Sequence, residues 1–125
     1  MSPYPPAAAL IPVAVAATTL FPSFFAFDAI VKREYDLHRE AWDADGRPSG
    51  MFWRPAGYES LSRRERRSSG RATQRLMGVW LFRSPAWARD DVEAIRLLRR
   101  MRWFWVAWCV GVVALMGLAV VALPR

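Results

Sequence analysis

The stretch WFWVAWCVGVVALMGLAVVAL, Trp103 to Leu123, carries no charged residue and is followed by Pro124 and Arg125. At 1.5 Å per residue, a helix of this length crosses the hydrocarbon core of a bilayer, about 30 Å thick. A second apolar run, Ala7 to Val31, contains a single ionisable group, Asp28. Between the two runs, Lys32 to Arg102 holds seventeen of the chain's eighteen basic residues; the last is Arg125. The same interval has ten acidic residues, so its net charge is +7, equal to that of the whole chain, because Asp28 and Arg125 cancel. Basic residues beside a span stay on the cytoplasmic side. The expectation is an all-α membrane protein in the bacterial inner (cytoplasmic) membrane, a two-span transmembrane helical hairpin with both termini periplasmic and the loop cytoplasmic. Residues 1–31 form the N-terminal segment and first span, 32–102 the basic loop with helical extensions, and 103–125 the second span and C-terminus.

A signal peptide is the rival reading of the first run. Its leading segment, Met1 to Pro6, has no Lys or Arg, and the run is longer than an ordinary signal core, so a retained anchor is expected. A pI near 11 in a soluble protein would suggest nucleic acid. Here the seventeen basic residues are spread through the loop as topology demands, and the nearer polyanion is the inner leaflet. Cys109 is the only cysteine and His38 the only histidine, so neither an internal disulfide nor a Cys/His metal set is available. His38 reads as a solvated helix position. No phosphate loop, nucleophile elbow or dinucleotide turn occurs, and nothing supports an enzyme or a bound cofactor.

Within the first span, Pro22 removes a backbone bond and is expected to kink the helix near Thr18, with Thr18 and Thr19 covering freed carbonyls. Beyond Val31 nothing stops this helix before Asp45-Gly46. Ser84-Pro85 breaks the chain later, and Asp90 with Glu93 resembles a capping box that starts a helix running through the second span. The two extensions are expected to pack antiparallel, Ile30, Tyr35, Leu37 and Trp42 against Val92, Ile95, Leu98 and Met101. Ser60 to Arg71 reads as poorly ordered. Ala72 to Phe82 reads as a short amphipathic helix in the headgroup plane. Arg63, Arg64, Arg66, Arg67, Arg71, Arg75 and Trp80 are then the contacts to anionic phospholipids or an acidic partner surface.

Three features of the spans point to lateral contacts. Phe21, Phe24, Phe25 and Phe27 on the first span, with Trp103, Phe104, Trp105 and Trp108 on the second, make an aromatic belt heavier than anchoring requires. Ala107, Gly111, Ala114 and Gly117 fall on one face at spacings that let another helix approach closely, first of all the helix of the same chain. Asp28, one turn inside the boundary, is expected to form an intramembrane ion pair with Arg102.

The local sequences His38-Arg39-Glu40-Ala41-Trp42, Gly46-Arg47-Pro48-Ser49-Gly50-Met51-Phe52 and Trp80-Leu81-Phe82, then Asp90-Asp91, Arg96, Arg99 and Arg100, occur in an N-span, basic loop, C-span layout. In this the chain resembles the universal stress protein B family of small two-span bacterial membrane proteins. The resemblance implies the topology and no catalysis. The leading functional expectation is a small accessory subunit of a larger inner-membrane complex (respiratory, photosynthetic or transport), whose partners are other integral membrane subunits. The alternatives are a free-standing, self-associating stress or envelope protein, and a membrane-tethered regulator that binds a soluble partner through its loop.

Overall fold

The computed structural model describes residues 6–123, with side chains from residue 10 onward, and the described residues are helical without strands. Met1 to Pro5, Pro124 and Arg125, the expected outward termini, lie outside the described residues. Helix α1 runs Pro6–Leu37, through both Pro12 and Pro22. Thr18 and Thr19 do not cap the carbonyl that Pro22 frees. Their hydroxyls donate instead to the carbonyls of Ala14, Val15 and Ala16, one turn upstream. The helix breaks at His38, whose φ of −132° and ψ of 54° are not helical, and resumes as α2, Arg39–Ala44. Bonds from His38 N to Glu34 O and from Trp42 N to His38 O carry the ladder across the break. Gly46, at φ 93°, then terminates the segment in the left-handed conformation that glycine tolerates.

Helix α3, Arg63–Phe82, is the main departure from expectation. Ser60 to Arg71, read as poorly ordered, is helical from Arg63. Its start is fixed by a complete capping box in which the Ser62 hydroxyl accepts from Glu65 N and the Glu65 carboxylate accepts from Ser62 N. Helix α4, Val92–Ala122, is capped by Asp91, whose side chain accepts from Ala94 N. Short 3-10 turns at Tyr58–Ser60 and Ala86–Ala88 complete the described elements.

Helices α1 and α4 lie side by side in opposite directions: Val15 meets Gly111, Ser23 meets Met101, and Arg33 meets Asp91. Among the less exposed positions of α4, Ala94, Leu98, Met101, Trp105, Trp108, Val112 and Leu115 form one continuous row. They alternate at spacings of four and three, the 3.5-residue repeat of a knobs-into-holes seam. On α1 the matching positions are Ala16, Thr19, Ser23, Ala26 and Ile30. Toward the loop the seam opens into the core, where Phe27, Ile30 and Val31 meet Leu98 and Met101, with Leu76 and Trp80 of α3 beside them. Of the expected extension contacts, Ile30, Leu98 and Met101 are buried, whereas Leu37 and Val92 are more than half exposed. By length and composition, two of these helices are apolar enough to cross a membrane: the α1 portion from Leu10, and α4.

Candidate functional site

Asp28 sits on the buried side of α1, beside Phe27, with its carboxylate directed at the loop rather than at α4. Oδ1 accepts from Met51 N at 2.5 Å; Oδ2 accepts from Phe52 N at 2.8 Å and Trp53 N at 2.9 Å. Three successive backbone amides thus converge on one carboxylate, an arrangement that satisfies its lone pairs without a cation. The approach is close enough to require glycine at position 50, since a Cβ there would lie 2.5 Å from the Asp28 carboxyl carbon. The turn is tied twice more, by Gly50 N to Trp53 O and by the Arg54 guanidinium to Gly50 O.

The expected Asp28–Arg102 ion pair is therefore absent. Arg102 donates from Nε to the Trp80 carbonyl at 3.0 Å and from Nη2 to Ser84 Oγ at 3.2 Å. Side-chain chemistry points to a charged partner across the hairpin, whereas backbone amide donors leave no residue-type signature. Gly50 within Gly46-Arg47-Pro48-Ser49-Gly50 was the available signal.

The latch presents Phe52 to the aromatic group on α1. Its ring lies 6.4 Å from those of Phe21 and Phe24 and 5.2 Å from that of Phe25. Phe21, Phe25 and Phe52 remain at least half exposed, so the cluster is an apolar surface rather than a core. Trp105 and Trp108 lie edge to face at 4.8 Å within the α1–α4 seam. They are not on the surface with the phenylalanines, and the structure divides the expected aromatic belt in two. The small-residue stripe is divided as well. Gly111 borders the seam, with Val15 in van der Waals reach of a Cβ placed there, whereas Ala107, Ala114 and Gly117 are exposed. The intrachain partner expected for that stripe packs on the tryptophan face instead.

Trp80 was expected at the headgroups and is in the core. It is 2% exposed, with its ring 5.5 Å from Phe27 and 6.4 Å from Trp87. The physical reason is the partner found by the apolar face of α3. Ser69, Ala72, Thr73, Leu76 and Trp80 turn inward, the Ser69 hydroxyl donates to Arg47 O, and the Thr73 hydroxyl donates to Ser49 O. An interfacial helix would turn this face toward lipid. Arg63, Arg64, Arg67, Arg71 and Arg75 on the opposite face, and Arg66 on its flank, are exposed. Arg66 and Arg75 also brace the fold through the Glu59 and Asp45 carbonyls.

A second polar group forms where α1, α2 and α4 meet. The Arg33 Nε–Asp91 Oδ2 distance is 2.6 Å, and His38 Nε2 lies 3.5 Å from the same oxygen. The His38 ring stacks on Trp87 at 4.6 Å, so this residue is half-buried and not on the solvated face expected of it. The hydrogen bond from Arg33 is the main reason that the Asp91 carboxyl is held down at about 2. Glu34 is fully buried, and neither of its oxygens closes a hydrogen bond, although Asp45 and the Trp87 indole lie beside it. Among the described residues no cluster of His, Cys, Asp and Glu has a metal-holding arrangement.

No protein-family model, curated protein or solved structure matches this chain.

Proposed function

We propose that the chain is a small structural subunit of a larger inner-membrane complex, inserted as a two-span hairpin. Its loop faces the cytoplasm and its termini face the periplasm. The observation that carries this reading is the outer half of α4. Val110, Val113, Met116, Leu118, Val120 and Val121 are each more than half exposed. Such a continuous apolar surface is far larger than a soluble monomer tolerates and suits lipid or neighbouring helices. The basic loop supports the orientation. Lateral contacts fall to two surfaces that the chain leaves uncovered: the phenylalanine cluster around Phe52, and the strip Ala107, Ala114 and Gly117.

A mild-detergent native gel of membranes carrying a tagged chain, with mass spectrometry of its band, tests the proposal. Migration with a defined large assembly is the expected result, and it identifies the host. Migration alone refutes the subunit reading. A band at the size of a small homo-oligomer also refutes it, in favour of self-association, for which the exposed Cys109 serves as a crosslinking handle.

A further inference from the structure

On one face of α4, Ile95, Arg99, Arg102, Trp103 and Val106 line a groove of about 430 Å³, with Ser84 on its far wall. Arg102 is held rigidly in it by the Trp80 carbonyl and the Ser84 hydroxyl, and both of these partners are neutral. Neither Arg99 nor Arg102 has a carboxylate partner among the described residues. The groove therefore holds two uncompensated guanidinium groups one helical turn apart. The Ser84 hydroxyl accepts from Arg102 and keeps its own proton to donate.

The position along the chain matters as much as the charge. Arg102 is the last charged residue before the charge-free run, and the wall continues into it through Trp103, 68% exposed, and Val106, 53% exposed. Cations, then an indole, then aliphatic surface is the order met along a phospholipid from phosphate to acyl chain. A soluble anion would use the first part and leave the apolar wall in water. We propose that this groove binds one anionic phospholipid, its phosphate between Arg99, Arg102 and the Ser84 hydroxyl and its acyl chain along Trp103 and Val106. The site rests on the reading that α4 crosses a bilayer. It is separate from the arginines of α3, which lie on an exposed face of that other helix.

The test is native mass spectrometry of the full chain in mild detergent with equimolar phosphatidylglycerol and phosphatidylcholine. The expected result is retention of one phosphatidylglycerol in preference to phosphatidylcholine. In Arg99→Gln that preference falls about five-fold, the equivalent of about 1 kcal/mol for one arginine at the inner leaflet. The Arg99 side chain makes no intrachain hydrogen bond among the described residues, so this variant spares the fold where Arg102→Gln would loosen α3. Arg64→Gln on α3 leaves the preference unchanged. Equal retention of both lipids, or the same loss in Arg64→Gln as in Arg99→Gln, overturns the site in favour of diffuse attraction. Displacement of the lipid by excess inorganic phosphate overturns it in favour of a free-anion site. Carbonate extraction of wild-type membranes separates the two readings: release of the chain overturns both, whereas firm retention without lipid preference overturns the lipid site alone.

Discussion

Asp28 shows how one carboxylate organises a loop. Asp28→Ala leaves three amides without their acceptor, and each such loss costs about 1–3 kcal/mol where water is excluded. The turn is partly open, so the expected cost is at the lower end, about 3 kcal/mol in all. The measurement is chymotrypsin cleavage after Phe52 and Trp53 in detergent, slow in the wild type and fast in the variant. Gly50→Ala is expected to reproduce the phenotype with Asp28 intact, because its Cβ would occupy the carboxylate's place. Unchanged cleavage in both variants would show that the turn stands without the latch.

Asp91 contributes a share of the fold's acid sensitivity. Its carboxyl is depressed to about 2 by the Arg33 hydrogen bond, below the ordinary 3.8. A depressed carboxyl stabilises the fold in full above its unfolded value, and the contribution is lost as pH falls from about 4 toward 2. Asp91→Asn keeps an oxygen to cap Ala94 and removes the titration. Thermal unfolding between pH about 5 and about 2 should slope less in the variant than in the wild type; identical slopes would sink this assignment. Glu34 carries the opposite expectation. A buried carboxyl with no hydrogen bond is a poor use of core volume, and Glu34→Met is expected to raise stability by about 1–3 kcal/mol. A lower melting temperature in that variant would mean that Glu34 bonds to its neighbours Asp45 or Trp87.

At the scale of elements, the two long helices were legible because long apolar runs with at most one charge are composition-level signals. The start of α3 had a signal in Ser62 and Glu65 at capping-box spacing, but the surrounding arginines suggested a solvated linker and masked it. Leu76 and Trp80 carry the same spacing whether they face lipid or protein, so the sequence could mark the amphipathic face and not its occupant. The seam between α1 and α4 exposed a similar limit. A stripe of small residues and a stripe of tryptophans both occupy α4, and only packing decides which receives α1. Trp108→Ala is expected to weaken the helix pair by about 1–2 kcal/mol, since dispersion and not hydrophobicity holds such a pair in lipid. An SDS titration read by dyes on the two helices measures it. Ala107→Leu, off the seam, should leave that titration within about 0.5 kcal/mol of wild type. If the chain packs into the proposed larger assembly through this strip, the same variant should detach it from that assembly on the native gel. The reverse pattern would place α1 on the small-residue face after all.

Across the whole molecule, burial is concentrated at the loop end. Phe27, Ile30, Val31, Trp80, Leu98 and Met101 are enclosed there, while the outer half of α4 is bare. Such a distribution suits a chain with a folded head on one side of a membrane and two unshielded legs within it. A cysteine at Ser68, introduced with Cys109 replaced by Ser, should resist a membrane-impermeant maleimide in intact cells and react in inverted vesicles. Reaction in intact cells would reverse the orientation.

The Asp28 turn also bears on the order in which the chain is built. Its partners lie 23 to 25 residues downstream of the carboxylate, whereas the Arg33–Asp91 and Ser23–Met101 pairs are separated by 58 and 78. Short loops close at lower entropic cost, and a contact can form only once both of its residues have been synthesised. The growing polypeptide can fasten Met51 to Trp53 onto the first helix while the second is still untranslated. That helix then arrives last, against a ledge already made.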